Sequence, residues 1–571
     1  MQTDTSIVYI LLRRLRAPLV VLISVYAISI IGMTLIPGVD DQGKPWRMDF
    51  FHAFYFVSFM GTTIGFGELP YAFTDAQRAW TLVTIYLTVI SWLYTIGVLL
   101  RIFQDPGFRR LVDYASFTRA VRRIRDPFFI ICGYGDTGSL LVRALTERGL
   151  NAVVIDNNNE RIEKLETAGL PLYVPGLAAD SADPDILYRA GLAHHNCTGV
   201  VALTNNDKTN LTIAITGKLI APKTRVYCRA ESHDIAANMS SFGTDYTLNP
   251  FDSFAERFAM AIHSPSMYLL YDWFTSEHRA LLTEPLSPPS GEWILCGYGR
   301  FGKALQRYLA SEDINITIIE ADPEGTGAPA DIVVGRGTEA ETLEKAHIKK
   351  ALGIIAGTDN DANNLSIIMT ARALNPDLFT VARQNETRND AIFNAANIDL
   401  VVERGNIIAR KISALIITPL LADFLKFSRP YNNQWANILI SRISGVTGNN
   451  PPYTWSIEVD ETNAPAIFDT LNENLSVTLK DLGCNPRNRD VPLKCLPLMI
   501  KHNQNQTLLP EGDTKLSIGD QILYCGSKSA SRNMIYMIQN YNILSYVRTG
   551  DEPASGIIWK FFTDKTTRKP S

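Results

Sequence analysis

The chain has 571 residues, of which 46% are hydrophobic and 20% are charged, and its mean hydropathy is +0.01. At about 150 residues per domain, this length predicts about four folding units. Lys and Arg total 54 against 58 Asp and Glu, so the chain lacks the basic excess typical of nucleic-acid-binding proteins. The seven cysteines form no C-x-x-C pair, which argues against a disulfide framework or a zinc knuckle. We therefore expect a small membrane part joined to a large cytosolic part.

Two apolar stretches predict membrane-spanning helices, at 18–36 and at 78–103. Nineteen residues at 1.5 Å per residue cross roughly the 30 Å hydrocarbon core of a bilayer. A signal peptide is the alternative for the first stretch. It is disfavoured because the apolar run is too long and no small-residue cleavage site follows before the second stretch.

Basic residues on either side of the spans predict their orientation. Three arginines lie at 13–16 and six at 109–125, whereas the loop between the spans carries only Lys44 and Arg47. The positive-inside rule then places both termini in the cytoplasm of a multi-pass protein in the cell (inner) membrane.

The loop between the spans contains a short apolar segment and a glycine-rich heptad. Residues 49–61 are too short to span the membrane and predict a re-entrant pore helix. The heptad 62–68 reads TTIGFGE, where Gly65 and Gly67 permit backbone angles closed to other residues. Four such strands around an axis can stack rings of carbonyl oxygens that replace the hydration shell of a potassium ion. The candidate filter residues are Thr63, Ile64, Gly65, Phe66 and Gly67.

This heptad resembles the potassium-channel signature TVGYG, with Ile64 and Phe66 as mild substitutions and Glu68 where that family usually has Asp. The resemblance implies K⁺ as the permeant ion, and a carbonyl ring needs four chains, so we expect a homotetramer. Many such channels carry a hinge glycine about twenty residues after the filter. In the second span the only glycine is Gly97, which is the hinge candidate; a straight helix and a glycine used for close packing remain open.

The remaining chain contains an internal repeat. One copy opens FFIICGYGDTG at Phe128 and the other EWILCGYGRFG at Glu292, and each continues through a helix into a strand that ends in an acid. Gly133 to Asp156 and Gly297 to Glu320 are both 23 positions apart. A repeat of alternating strands and helices predicts two doubly wound parallel sheets.

Each copy carries a dinucleotide-binding fingerprint. The G-x-G-x-x-G turn follows a strand and opens a helix whose N-terminus attracts pyrophosphate, and the later acid can accept hydrogen bonds from a ribose. The alternative, a fold that keeps this turn around an empty pocket, stays open for each copy.

The repeat resembles RCK domains (regulators of potassium conductance, similar to TrkA N-domains), which gate potassium channels. The family often has an Asp after its third strand, near adenine, and an Arg inside the glycine turn, near phosphate. The first copy has Asp180 at the former position and Asp136 at the latter, and the second has Arg336 and Arg300. The resemblance therefore implies NAD or ADP as a gating ligand, with the first copy favoured and the second a further candidate.

Late-strand arginines add phosphate-side candidates, for which a surface salt bridge is the alternative. In the first copy the nucleotide-binding candidates are Gly133, Tyr134, Gly135, Asp136, Thr137, Gly138, Asp156, Asn157, Asp180, Thr204 and Arg229. In the second copy they are Gly297, Tyr298, Gly299, Arg300, Phe301, Gly302, Glu320, Arg336 and Arg383.

Calcium is a further candidate ligand, because some RCK channels bind it through acids on a late strand. In the comparable stretch, residues 226–231, only Glu231 remains, which departs from a hard-oxygen ligand cluster. The acids at 180, 183 and 185 begin a helix, and His194, His195 and Cys197 are better interpreted as an exposed loop than as a metal site.

The expected fold is therefore an α-helical two-span membrane pore with a re-entrant pore helix and filter, two cytoplasmic α/β Rossmann-like RCK domains and a small α+β C-terminal subdomain. The resemblance also implies that a helical hairpin after each sheet crosses over to a neighbouring copy. The expected segments are a pore domain at 1–103, a linker at 104–126, a first RCK domain at 127–285, a second RCK N-lobe with its hairpin at 290–430, the C-terminal subdomain at 450–545 and a tail at 551–571.

These features predict a potassium channel and not an enzyme, with a cytoplasmic ring of eight RCK domains and no nucleic-acid partner. A membrane-anchored NAD-dependent oxidoreductase would explain the two fingerprints but not TTIGFGE. A regulatory subunit of a potassium transporter that has acquired a membrane anchor is the second alternative.

Overall fold

The structure, a computed structural model, describes residues 2–275, 284–503 and 505–551. The chain forms two compact units, the first from residues 1–123 with 189–191 and the second from 124–188 with 192–571. Apart from residue 551, the predicted tail at 551–571 lies outside the described residues.

The first unit consists mainly of helices. Two of them contain segments long and apolar enough to cross a membrane, Arg13–Leu35 and Asp75–Gln104. The elements are α1 (Gln2–Leu35), β1 (Gly38–Val39), β2 (Pro45–Trp46), α2 (Phe50–Gly61), α3 (Asp75–Gln104) and α4 (Pro106–Arg122).

The short helix α2 contacts both long helices. Its buried residues Phe56 and Val57 share a core with Ile30 of α1. The long helices also touch directly, because a Cβ at Gly32 would fall 2.0 Å from the Trp80 side chain, so this glycine leaves room for the indole ring against α1. Burial against the long helices thus accounts for one face of 49–61, whereas Phe50, Phe51 and Phe54 are exposed on the other.

The segment after α3 is mostly helical, whereas the sequence predicted only a linker at 104–126. The carboxylate of Asp105 caps α4 by accepting the backbone N–H of Gly107 at 2.8 Å, and it also pairs with Arg14. Pro106 stands at the first helical position, where its missing N–H and fixed φ suit a helix start. The proline therefore ends α3 and also starts a new helix.

The second unit begins with a six-stranded parallel sheet in the order β5-β4-β3-β6-β7-β8. We call this sheet and its covering helices the first lobe. Its elements, with the helical hairpin that follows, are β3 (Phe128–Cys132), α5 (Asp136–Glu147), β4 (Asn151–Asp156), α6 (Asn159–Glu166), β5 (Gly176–Ala178), α7 (Pro184–Arg189), β6 (Cys197–Ala202), α8 (Asp207–Ile220), β7 (Arg225–Arg229), α9 (His233–Ser241), β8 (Tyr246–Leu248), α10 (Pro250–His263) and α11 (Pro265–Thr275).

The second lobe repeats this topology, with a parallel sheet in the order β11-β10-β9-β12-β13-β14. Its elements and the following hairpin are β9 (Trp293–Cys296), α12 (Arg300–Ala310), β10 (Ile316–Glu320), α13 (Pro323–Thr326), β11 (Val333–Val334), α14 (Ala340–Lys345), β12 (Gly353–Ala356), α15 (Asp361–Leu374), β13 (Phe379–Gln384), a 3₁₀ turn (Thr387–Asn389), α16 (Asp390–Ala395), β14 (Leu400–Glu403), α17 (Arg404–Ile417) and α18 (Pro419–Ser428). The predicted fold class, a helical membrane pore followed by Rossmann-like lobes, is confirmed.

Matching side chains hold corresponding positions in the two lobes. The amide of Asn210 donates to the carbonyl of Arg229 at 2.9 Å, and the amide of Asn364 donates to the carbonyl of Arg383 at 2.7 Å. Each asparagine thus ties the helix after the fourth strand to the end of the next strand, so the repeat extends to individual hydrogen bonds.

The two hairpins exchange between the lobes of this one chain. Helix α10 follows the first sheet but packs on α12, where Phe254 and Phe258 share a core with Leu305. Helix α17 follows the second sheet but packs on α5, where Ile408 and Ile412 complete the core of the first lobe. Neither lobe therefore has a complete core without a helix from the other.

The rest of the chain forms an antiparallel sheet in the order β15-β20-β18-β19 and a two-stranded hairpin, β16-β17. Helix α19 precedes this subdomain and falls between the predicted domains. The elements are α19 (Asn433–Thr447), β15 (Tyr453–Glu458), α20 (Pro465–Asn472), α21 (Leu479–Leu482), β16 (Cys484–Asn485), β17 (Asn488–Pro492), β18 (Cys495–His502), β19 (Asn505–Leu508), β20 (Gln521–Gly526), α22 (Lys528–Ile538) and α23 (Tyr541–Thr549).

Cysteines at positions 136 and 405 should link α5 to α17 within one chain. A Cβ at Gly405 lies 3.2 Å from the Cβ of Asp136, close to the roughly 3.5–4.5 Å of a disulfide. After mild oxidation of the Asp136→Cys, Gly405→Cys variant, we expect a reducible shift in monomer mobility on a denaturing gel.

The matched control is Asp136→Cys with Gly149→Cys, because nothing lies within 4 Å of a Cβ at Gly149. A reducible dimer in place of the internal link would show that α17 crosses between chains and not within one.

Candidate functional site

The first candidate site is the loop that leaves the short helix of the first unit. The helix α2 is capped by Asp49, whose carboxylate accepts the His52 N–H at 2.7 Å. At its other end the N–H of Ile64 donates to the carbonyl of Phe59 at 3.0 Å. Gly65 and Gly67 have φ values of +66° and +107°, in the region that favours glycine.

The carbonyls of this loop are available. Within the described part of the chain, the backbone oxygens of residues 63–67 accept no hydrogen bond, and residues 62–67 are exposed. All five predicted filter residues lie on this stretch. One strand of carbonyls cannot surround a cation, so an ion site made from them needs several copies of the loop.

An ion pair anchors the end of the loop to the second long helix. The Glu68 carboxylate accepts the Arg78 Nε–H at 2.9 Å and the backbone N–H of Phe73, also at 2.9 Å. Glu68 was expected only as a substitution for Asp, and its pairing with Arg78 was not predicted. The available signal was a single arginine ten positions later, at the first turn of α3.

Gly97 lies inside α3, which is continuous from Asp75 to Gln104. A Cβ at Gly97 would meet nothing within 4 Å in the described chain. Close packing within one chain is therefore not the reason for this glycine, and its role as a hinge stays a prediction.

The second candidate site is the glycine turn of the first lobe. Strand β3 ends at Cys132, and α5 begins at Asp136. A Cβ at Gly138 would fall 2.0 Å from the carbonyl oxygen of Gly133, so the turn and helix can meet only with glycine there. The buried Asp156 carboxylate holds the turn by accepting the Tyr134 N–H at 2.6 Å. The same carboxylate accepts the Asn158 N–H at 2.8 Å.

Arg161 is the residue that the sequence analysis missed here. Its Nη1 lies 3.3 Å from an Asp156 oxygen, and its guanidinium lies 3.8–3.9 Å from a Cβ built at Gly135. The first lobe therefore has an arginine beside its turn, contributed by α6 and not by the turn itself. The signal was an arginine five positions after the acid; the corresponding position in the second copy is Gly325.

The other first-lobe candidates lie at the same end of the sheet. Ala179 donates its N–H to the carbonyl of Asp156 at 2.9 Å, which places the exposed Asp180 next to the end of β4. Thr204 contacts Asn210 through its hydroxyl at 2.7 Å. Asn157 and Asp136 are exposed, and Thr137 is buried at the first turn of α5.

The second lobe builds its turn in the same way. The Glu320 carboxylate accepts the Tyr298 N–H at 2.6 Å, and a Cβ at Gly302 would fall 2.2 Å from the Gly297 oxygen. Gly335 donates to the carbonyl of Glu320 at 3.0 Å, so the exposed Arg336 lies beside it at the strand ends. Gly299 is the N-cap residue of α12, and Phe301 is buried.

The late-strand arginines are interior residues, so the salt bridge that Arg229 forms is buried and not at the surface, and a phosphate-side role for either arginine stays a prediction. Arg229 and Arg383 are 7% and 9% exposed. Arg229 pairs with Glu231, and Glu231 also accepts a contact from Arg300 of the second turn at 2.9 Å. The guanidinium carbon of Arg383 lies 5.3 Å from the ring centre of Phe251, which starts the exchanged helix α10.

This arrangement argues against calcium at Glu231. Its carboxylate already contacts two guanidinium groups, and a divalent cation placed there would be repelled by both. Within the described ranges no group of three His, Cys, Asp or Glu side chains could hold a metal ion.

Acidic charge also gathers near the first turn. Burial raises the pKa of the Glu403 carboxyl, and the carboxylates of Asp390 and Asp136 add to this effect. Because Glu403 ends β14, just before the exchanged helix α17, the second lobe contributes a carboxyl group to the first turn. The guanidinium of Arg410, further along α17, acts on the pKa of Glu403 in the opposite direction.

Residues 129–250 and 293–404 match the family model of the TrkA-N domain, and residues 19–105 match that of an ion channel. The chain is 30% identical over 251 residues to the Trk system potassium uptake protein TrkA homolog of Pyrococcus abyssi, covering 42% of this chain and 94% of that protein. It is 24% identical to potassium channel protein 1 of Methanocaldococcus jannaschii, covering 36% of this chain and 59% of that one.

Among solved structures, a GsuK channel bound to NAD is 16% identical, with a TM-score of 0.45, and the match covers 94% of this chain and 100% of that one. The chain spans between 37% and 59% of the length of three curated relatives, two of which are potassium channel proteins of M. jannaschii.

Asp156 should be a structural residue of the turn as well as a ligand candidate. Replacing it with Ala leaves the buried N–H of Tyr134 without its acceptor, which costs about 1–3 kcal/mol. We expect a lower unfolding temperature for Asp156→Ala by scanning calorimetry. Asp180→Ala, at an exposed position, serves as the control and should change stability by less than about 0.5 kcal/mol. Equal stability of the two variants would contradict this role.

Proposed function

Because this chain belongs to the TrkA family and joins two TrkA-N domains to an ion-channel domain, we propose that it is a potassium channel gated by adenine nucleotides. The observation that carries the proposal is the exposed loop at 63–67, whose backbone carbonyls accept no hydrogen bond within the described chain. Its glycine backbone angles are those that a strand of ion-facing carbonyls needs.

The number of chains in the assembly follows from the number of loops that a K⁺ site needs. One chain supplies one loop, and a closed ring of carbonyls around K⁺ takes four. A homotetramer would also bring together eight lobes, enough for a ring of its own. We place both termini in the cytoplasm and the protein in the cell membrane, because arginines flank both spans and the loop between them has few basic residues.

The nucleotide, NAD or ADP, would bind at the first glycine turn as a regulator and not as a redox cofactor. Asp156 and Asp180 offer acids on the ribose and base sides, and Arg161 lies beside Gly135. The second turn is a weaker candidate, because its Arg300 is already paired with Glu231. Calcium stays a ligand to be tested, although the described residues hold no ligand cluster for it.

Gating requires that the nucleotide bind the open and closed forms with different affinities. If the nucleotide binds one form ten times more tightly than the other at each of four sites, the total difference in binding free energy is about 5.5 kcal/mol. This is enough to reverse a 1:99 equilibrium between the two forms. The chain runs directly from α3 through α4 into β3, so movement of the first lobe would pull on the second span. No catalytic centre is part of this scheme, and the chain would not be an enzyme.

The pore assignment is tested with Gly65→Asp. The side chain would be strained at a φ of +66° and would place a carboxylate among the carbonyls. In liposomes containing the purified protein, we expect barium-sensitive K⁺ flux for the original chain and none for the variant. Unchanged transport by Gly65→Asp would favour a regulatory subunit of a transporter.

The nucleotide assignment is tested in the same liposomes by adding NAD, ADP and calcium in turn. We expect a nucleotide to change the flux, and Asp180→Ala to abolish this change while basal flux persists. Glu324→Gln, an exposed acid on α13 of the second lobe, is the matched control and should respond like the original chain. A flux change that survives Asp180→Ala would remove the first turn as the gating site.

The Glu68–Arg78 pair should preserve ion selectivity by holding the end of the loop. Arg78→Gln leaves the loop anchored only through Phe73. Because exposed ion pairs are weak, we expect a several-fold fall in the K⁺/Na⁺ permeability ratio and not a loss of conduction. Arg47→Gln, which changes an exposed arginine before α2, is the control. An unchanged ratio in Arg78→Gln would contradict the anchoring role.

A further inference from the structure

A cavity of about 520 Å³ lies in the second unit, away from both glycine turns. Its walls come from the end of α5, the end of α11, the turn between α19 and β15, and the start of α22. The first lobe, an exchanged hairpin and the C-terminal subdomain therefore all contribute to one partly open cavity. This volume falls within the range of roughly 300–1,000 Å³ typical of small-molecule sites.

The charged side chains among the described lining residues are all basic. The lining contains three cationic side chains, Arg148, Lys494 and Lys528, and none of its described residues is Asp or Glu. The Arg148 guanidinium lies 4.9 Å from the ring centre of Tyr453, and burial lowers its pKa. These cations come from different segments of the chain and line the same cavity.

The two lysines stand on backbone segments that are fixed to each other. The N–H of Ser527 donates to the carbonyl of Lys494 at 3.0 Å. A Cβ at Gly526 would fall 2.3 Å from that same oxygen, so the strands approach as closely as glycine allows. The backbones that carry the two lysines are therefore held at a fixed spacing, and their exposed side chains extend from it.

The lining also includes two further aromatic side chains, and one of them carries a buried donor that is unpaired among the described residues. Trp273 and Phe274 are 3% and 7% exposed, and both line the cavity. The indole N–H of Trp273 is buried and has no hydrogen-bond partner among the described residues. Buried indole N–H groups usually find a partner, so this one indicates that an acceptor belongs nearby.

We propose that this cavity binds a small phosphorylated organic molecule, with its phosphate between Arg148, Lys494 and Lys528 and its apolar or aromatic part against Trp273 and Phe274. A phosphate monoester carries close to two negative charges at neutral pH, which suits three cations better than a single carboxylate does. Because the cavity joins the first lobe to the C-terminal subdomain, such a ligand would be a second regulatory input, separate from the glycine turns.

The test uses phenyl phosphate as the probe and full-length protein in nanodiscs, with binding measured by calorimetry. We expect saturable binding of phenyl phosphate. Phenol and benzoate, which lack the phosphate, and inorganic phosphate, which lacks the ring, should bind more weakly. The double variant Lys494→Gln, Lys528→Gln should bind phenyl phosphate at least about tenfold more weakly, because charge-assisted contacts are lost.

Lys480→Gln with Lys515→Gln is the matched control, since both lysines are exposed in the same subdomain and neither lines the cavity. A second variant, Gly445→Leu, tests the space itself, because a Cβ at this lining residue meets nothing within 4 Å. It should block the probe while helix α19 is retained.

Absent binding, or binding unaffected by both cavity variants, would overturn the proposal. Loss of phenyl phosphate binding in Asp180→Ala instead would place the probe at the glycine turn and would also overturn it. The proposed gating function is tested separately, because ADP binding and K⁺ flux should persist in the Lys494→Gln, Lys528→Gln variant.

Discussion

The exchange of α10 and α17 is the packing on which the second unit depends. Ile408 and Ile412 are fully buried against the first sheet, although they follow the second, and Phe258 is buried against the second lobe, although it follows the first. Burying each such side chain contributes roughly 1.5–3 kcal/mol. Neither lobe can separate from the other without exposing these residues, so a change at one turn acts on a helix that belongs to the other lobe.

The two glycine turns share a backbone design but differ in charge. In both, the strand-end acid accepts the tyrosine N–H at 2.6 Å, which fixes the turn independently of any ligand. The arginine differs in origin, since Arg161 comes from the following helix and Arg300 from the turn itself. Because Arg300 also contacts Glu231 of the first lobe, the second turn is tied into the interface, and the two sites are not equivalent.

The sequence predicted the features that depend on segment length, glycine spacing and internal repetition. The order of long span, short apolar helix, TTIGFG and second span follows from segment length and glycine spacing, and the doubly wound sheets follow from the repeat. Such patterns could not predict that Arg161 contacts Asp156, because this contact depends on the side-chain positions in the folded chain. Helix α4 was missed because Pro106 signals a break equally well when it starts a helix. The crossing of α17 to α5 was expected only from the family resemblance, since burial alone does not say which lobe a helix covers.

Helix α17 connects the first turn to more distant parts of the second unit. Its start touches the turn, where a Cβ at Gly405 would lie 3.2 Å from Asp136, and its body fills the first-lobe core. It continues into α18, whose residues Leu421 and Phe424 share a core with Trp273 on the cavity wall. A ligand that moved Asp136 relative to Gly405 would thus shift a helix anchored at both ends. The cavity lies at the α18 end of this pair of helices. A ligand at the first glycine turn and a ligand in the cavity would therefore both act on α17 and α18.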